Sequence, residues 1–286
     1  EVQRTERMGA NMELELKKEC LDTYELGEPQ TLTQEETAET IVPDYCPDIA
    51  RIISAEGVVC LHGGTEQDGV TGTVRVTVLY TPEDESGVRA LEFAMPFSAQ
   101  GEGLAGCAHV AAETEIELLE SRMLNPRKIF TRCKLVTHLA GCRKVCLTIS
   151  SDAETDPALL VEKRCCGQTV SLLRQVAEKD LTFSETMSLS LGREGAAELL
   201  HCRANGTVTE TKAIGNKLIF KGVFFVSVLY RTTGGQLASA SAELPFSQIM
   251  ETDSAEENTQ VSMRLRITGT DIQIDGSDDE GRQLAV

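Results

Sequence analysis

A strand-like run, VRVTVLY at Val74–Tyr80, is followed by a polar turn and by ALEFAMPFS at residues 90–98. The same order returns late in the chain as VFFVSVLY at Val223–Tyr230, a polar turn, and a run ending in ELPFS at Ser247. Val78-Leu79-Tyr80 maps onto Val228-Leu229-Tyr230, a lag of 150 residues, and Pro96-Phe97-Ser98 maps onto Pro245-Phe246-Ser247, a lag of 149. Two matches at nearly one lag mark an internal duplication, which limits the fold before any other feature is weighed. A chain of 286 residues then divides into two ordinary domains rather than one large one.

Alternation of apolar and polar residues, the period-2 mark of a half-buried strand, recurs along both copies. MELELKKE from Met12, Thr31–Ile41, EGVVCLHG, Val70–Tyr80, Val88–Phe97, His109–Leu119, Lys128–Leu139 and Arg143–Ile149 read as successive strands of the first copy. They are punctuated by Gly, Asp, Glu and Pro clusters at the spacing of a sandwich or barrel. In the second copy strands are expected near Leu159–Val161, Thr169–Val176, Thr207–Thr211, Lys217–Tyr230, Ala238–Phe246, Gln260–Ile267 and Thr270–Ile274. The fold class is therefore all-β: two tandem, mostly antiparallel β-sandwich or open-barrel domains. Residues 1–11 read as a disordered upstream extension, 12–150 as the first β domain, 151–170 as connector and lead-in strand, and 171–286 as the second β domain.

One loop breaks the alternation. In IVPDYCPDIARII, Pro43 and Pro47 forbid a regular ladder. Pro47-Asp48 ahead of Ile49, Ile52 and Ile53 predicts a short helical turn, with Asp44 and Asp48 placed to cap backbone N–H groups. GAAELLHC at Gly195–Cys202 falls at the matching place in the second copy, which lacks both prolines. Asn205-Gly206, matching Glu56-Gly57, predicts a turn in which glycine supplies φ > 0. The structural reading of PDYCPD is a rigid turn; the functional one is an exposed acidic recognition loop carrying Tyr45.

Composition excludes several classes. A net charge of −18, from 45 acidic and 27 basic residues, repels nucleic acid and anionic membranes. Aromatics make up 4% with no Trp, too few for a stacking platform for glycans or single strands. The longest apolar runs fall far short of a bilayer span, so direct membrane insertion is not expected. No nucleophile elbow, HExxH or phosphate loop occurs, so the chain reads as not an enzyme, with no cofactor. GGTEQDG at 63–69 reads as a hairpin turn rather than a phosphate cradle, and DIQIDGSDDE at 271–280 lacks the ligand spacing of a calcium loop. Ten cysteines lack a metal spacing. Cys142 and Cys146, about 13 Å apart along a strand at ~3.3 Å per residue, cannot bridge each other. The cysteines are read as mostly reduced core residues of a cytosolic protein.

Several of these stretches taken together, MELELKKE, IVPDYCPDIARII, VRVTVLY and SRMLNPRKI, resemble the SPOCS domain of spore-forming Firmicutes. That domain occurs, often in tandem, in SipL-like spore-coat morphogenesis proteins. The resemblance covers most of Met12–Leu147 and, more faintly, Ser171–Ile274, where the VSVLY and LPFS strands match and the Pro-Asp loop does not. It implies a non-enzymatic scaffold or adaptor of the mother-cell cytoplasm, acting at the forespore surface by protein–protein interaction. The partners it implies are spore-coat basement proteins, including the coat's polymerising ATPase. SipL-like members carry a LysM domain implicated in that contact, and no such module is legible in these residues. The residues expected to meet a partner are Asp44, Tyr45, Pro47, Asp48, Ile49, Arg127 and Lys128, and self-association through β-edges is also expected. The alternative is a binding module for a small ligand or cell-wall glycan lodged between the two domains.

Overall fold

The computed structural model describes residues 15–62, 69–154, 162, 164, 167, 169–188, 195–252, 259–274 and 283–285. Its elements are β1 (Glu15–Leu26), β2 (Gln30–Ile41), β3 (Ile49–His62), β4 (Gly69–Pro82), β5 (Arg89–Gln100), β6 (His109–Asn125), β7 (Lys128–Glu154), β8 (Thr186–Ser188), β9 (Ala196–Ile214), β10 (Lys217–Thr232), β11 (Leu237–Glu251), β12 (Gln273–Ile274) and β13 (Gln283–Ala285). The chain is all-β, every pairing is antiparallel, and the described residues include no helix. None is therefore long and apolar enough to cross a membrane.

Two sheets build the first half. In one, β4 lies between β3 and β5. In the other, the 27-residue β7 carries β2 and then β1 along its length, with β6 pairing alongside. Alternation along β4 sends Val74, Val76, Val78 and Tyr80 into the interface between the sheets, where they meet Ile129, Cys133 and Leu135 of β7. All seven are at most 1% exposed. Burial of such side chains stabilises by about 1.5–3 kcal/mol each and sets the register, because a one-residue slip would turn the whole set outward.

The duplication is visible in three dimensions. In the second half β10 lies between β9 and β11, with Val226, Val228 and Tyr230 as the buried row. Both central strands have a glycine under a phenylalanine ring of the next strand. Gly72 pairs with Phe97 and Gly222 with Phe246, and a Cβ at either glycine would fall 2.5 Å from the ring. Gly57 and Gly206 are a second matched pair. A Cβ at Gly57 would fall 2.8 Å from Ile116 of β6, and one at Gly206 would fall 2.5 Å from Leu265. Leu265 thus does for β9 what Ile116 does for β3, and residues 259–272 lie where β6 lies in the first half. Their burial alternates as in a strand, although strand pairing there is confined to Gln273–Ile274.

Three expectations are corrected. The stretch at Pro47–Ile53 is not helical: residues 43–48 form an irregular turn and Ile49 opens β3. β3 is bulged between Ile49 and Arg51 and again between Ile52 and Ser54. Each bulge adds a residue, which turns strict alternation into the 49-52-53 spacing that mimics a helix. Gly195–Cys202 likewise leads into β9. Gly206 sits within β9 and not in a turn; its role is to admit Leu265 and Phe224, and φ is not positive there. No strand is assigned at Thr169–Val176 or Gln260–Ile267, while Leu159–Val161, the turn at 63–68 and most of the acidic stretch after Ile274 lie outside the described residues.

Adding a methyl at Gly72 drives it into the Phe97 ring and the Cys60 carbonyl. Gly72→Ala is expected to cost about 1–3 kcal/mol in urea titration. Combined with Phe97→Leu it should cost less than the two single changes together, because the trimmed side chain makes room.

Candidate functional site

The Pro-Asp loop and the β6–β7 turn, far apart in sequence, meet at one guanidinium. Asn125 begins the turn, and its side chain accepts from the Arg127 backbone N–H at 2.9 Å. The Arg127 side chain then enters the loop. One terminal nitrogen donates to the Cys46 carbonyl (2.7 Å) and the Asp48 carboxylate (3.0 Å). The other donates to the Val42 carbonyl (2.9 Å) and the Asp44 carboxylate (3.1 Å). A planar fork with five donors suits four converging oxygens, and an ammonium does not. Asp44 and Asp48 therefore hold Arg127 instead of capping backbone N–H groups.

Backbone bonds complete the frame. Val42 donates to the Arg127 carbonyl, Ile49 to the Pro126 carbonyl and Glu83 to the Asp48 carbonyl, and Cys46 closes a turn onto Pro43. Val42 and Ile49, at the two ends of the loop, are fully buried. Tyr80 lies beneath, donating to the Pro47 carbonyl at 3.3 Å, and burial pushes its hydroxyl up to about 12. What this frame presents is Tyr45, 88% exposed at the apex. Of the residues expected to meet a partner, Tyr45 and Asp44 face solvent, Asp48 and Arg127 are half-buried in the clamp, and Pro47 gives its carbonyl to Tyr80. Ile49 anchors the loop from the core, and Lys128 pairs with Glu39 at 2.5 Å.

Tyr45 and Cys46 also stand at the edge of a cleft of about 600 Å³ between the two halves. Glu56, Glu198 and His201 on its walls belong to ion pairs that no motif marked. Glu198 of β9 accepts from Arg89 of β5 (2.7 Å) and from Arg231 of β10 (2.5 Å). Glu56 of β3 receives Arg203 and, at 3.1 Å, His201, both from β9. Burial pushes the Glu56 carboxyl up, but the hydrogen bond from Arg203 and the charges of His201 and Arg203 outweigh it and hold it below its ordinary 4.5. Only the meeting of β3, β5 and β9 assembles these groups, and no spacing along the chain could have marked them. Among the described residues no cluster of three or more His, Cys, Asp or Glu side chains could hold a metal ion.

The cysteine reading needs one correction. Six of the described cysteines are free, Cys60, Cys133 and Cys142 among them as core residues, but the Cys20 and Cys146 sulphurs meet at bonding distance across β1 and β7. His62 and His138 make hydrogen bonds to Thr73 and Thr31, as surface histidines do.

Residues 196–275 match the family model described as SipL, SPOCS domain. This is the sporulation-related domain that the Pro-Asp loop and the repeated strands resemble, and the match falls on the second copy. The matched family is not a known enzyme family. No curated protein and no solved structure matches the chain.

Arg127→Lys keeps the charge and loses the fork, and is expected to cost about 1–3 kcal/mol and to expose the loop to proteolytic nicking. For Glu56 the folded-state value lies below the unfolded one. Its stabilising contribution is therefore present above pH 4.5 and is lost as pH falls through the lower, folded value. Glu56→Gln should lower stability near neutral pH and flatten the decline below pH 4.5, read from thermal unfolding at a series of pH values.

Proposed function

We propose that the chain is a non-enzymatic scaffold in spore-coat assembly, working in the mother-cell cytoplasm at the forespore surface and binding coat basement proteins, the polymerising ATPase among them. The observation that carries the reading is the SPOCS match over residues 196–275. The loop of the first copy supports it. A frame of four side-chain hydrogen bonds, two buried anchors and a buried tyrosine is a large structural outlay for a surface turn, and its product is one exposed aromatic ring on a braced loop. Aromatic side chains held in a fixed pose lose little entropy on binding and often dominate interfaces.

Purified basement-layer ATPase, immobilised and titrated with the chain, tests both the partner and the contact. Tyr45→Ala should weaken capture by about tenfold or more, the scale of an interface anchor, while leaving the unfolding curve unchanged. Capture that is absent with the intact chain overturns the partner. Capture that Tyr45→Ala does not alter moves the contact to another surface.

The cleft favours a second reading, as a site for a small ligand or wall glycan, because Glu56 and His201 face into it from opposite halves. Among the described residues Tyr45 and Phe93 are the phenyl-type rings on its walls, which suits a glycan poorly. Calorimetric titration with muropeptides separates the readings: heat that vanishes in His201→Ala supports the cleft.

A further inference from the structure

We infer that Cys20 and Cys146 form a redox latch on the β1–β7 ribbon, closing its outer part as a disulfide and releasing it as two thiols. Pairing of β6 with β7 ends at Cys142. From there to Glu154 the strand partner of β7 among the described residues is β1 alone, so the two strands run on as a ribbon. Its root is braced from the second half. The Leu173 carbonyl takes the Tyr24 N–H and the hydroxyl of buried Thr23.

Beyond that brace the ribbon has no core. Leu16–Asp22 and Arg143–Ala153 include no buried residue, and Leu16, Leu147 and Ile149 are 47%, 43% and 38% exposed. A two-stranded ribbon without a buried face is marginal in water. The side-chain ties across it are slight: Lys144 lies 3.9 Å from Asp22, both exposed, and the Ser151 hydroxyl donates to the Lys17 carbonyl at 3.4 Å. The ladder is also interrupted near its outer end, where the register shifts between Lys17 and Lys18. A covalent bond placed here decides whether the outer strands stay paired.

Register brings the two cysteines together. Cys20 opposes Thr148 and Asp22 opposes Cys146, so the cysteines are diagonal neighbours on one face, with Cα atoms 5.7 Å apart. That separation suits a disulfide. Both residues are exposed, whereas the six free cysteines described are buried or half-buried. Burial pushes the thiols of Cys60, Cys133 and Cys142 up, which keeps them protonated and slow to react. Exchange with a small thiol such as glutathione needs access, so it falls on the Cys20–Cys146 pair. In the opening direction one glutathione thiolate attacks a sulphur of the pair, forming a mixed disulfide and expelling the other cysteine as a thiolate. A second glutathione thiolate displaces the first cysteine. With two protons taken up, the chain is left with two thiols and glutathione disulfide departs. Glutathione disulfide drives the reverse. Reduction lets Leu16–Asp22 fray from Cys146–Asp152 down to the brace at Thr23 and Tyr24, baring backbone donors and acceptors that the disulfide form keeps paired. This inference is independent of the spore-coat reading.

The experiment equilibrates the full chain in glutathione buffers from fully reduced to fully oxidised and quenches it by alkylation. Peptide mass spectrometry is expected to show Cys20 and Cys146 passing together between a linked form and a doubly alkylated one. Amide hydrogen exchange over residues 16–22 and 146–152 should be at least about tenfold faster in the reduced chain, with the core strand Val74–Tyr80 unchanged. Cys146→Ser should exchange at the reduced rate in either buffer, which separates the bond from any other effect of the buffer. A pair that glutathione cannot open, or that is alkylated without ever giving the linked form, overturns the proposal. So does ribbon exchange that is equal in the two states, or slow exchange in Cys146→Ser under oxidising conditions.

Discussion

One arginine joins the two sheets of the first half at the point where the chain crosses between them. β2 belongs to one sheet and β3 to the other, and the six residues linking their flanking anchors must turn without a ladder to satisfy their carbonyls. Arg127 supplies the missing donors from the β6–β7 hairpin, and the adjacent Pro126 and Arg127 carbonyls accept from Ile49 and Val42 on either side of the turn. The start of β3, the seat of Tyr80 and the pose of Tyr45 all depend on this arrangement. Two carboxylates complete it, so both terminal nitrogens of the guanidinium are engaged and its charge is answered.

The duplication and most strands were legible because they rest on period-2 patterning, which local chemistry imposes and a sequence records directly. The Arg127 clamp was half legible. PDYCPD and NPRK stood out as motifs, but a guanidinium chooses its oxygens in three dimensions, and nothing at Asp44 or Asp48 distinguished a helix cap from an arginine ligand. The helical reading of Ile49, Ile52 and Ile53 failed for a definite reason: two bulges displaced the alternation into a spacing that a helix also produces. Gly206 was misread because glycine admits either a left-handed turn or a close neighbour, and only the position of Leu265 decides between them. The cleft was not legible at all, since Glu56, Arg89, Glu198 and His201 are unremarkable charged residues until their strands meet.

The two halves are held together differently from the way each is held within itself. Inside, the joints are Val, Ile, Leu and Tyr rows between sheets. Between them the described contacts are largely ionic, with carboxylates at Glu56, Glu113 and Glu198 answered by arginines of the other half. In a chain of net charge −18 such pairs also place scarce cations where acidic surfaces would otherwise repel. Partly exposed pairs of this kind are modest in energy and specific in geometry.

β7 has a mechanical consequence. At 27 residues and ~3.3 Å per residue it runs for about 90 Å, from the turn that holds the tyrosine loop to the far tip of the β1–β7 ribbon. Its ladder bonds lie across the strand direction. Tension applied along β7 therefore loads the bonds to β1, β2 and β6 together as a shear joint, whereas force applied across the ribbon would open it one rung at a time. Pulled end to end, the strand behaves as a strut between the loop and the ribbon tip. Peeled from the side, the same strand behaves as a zip.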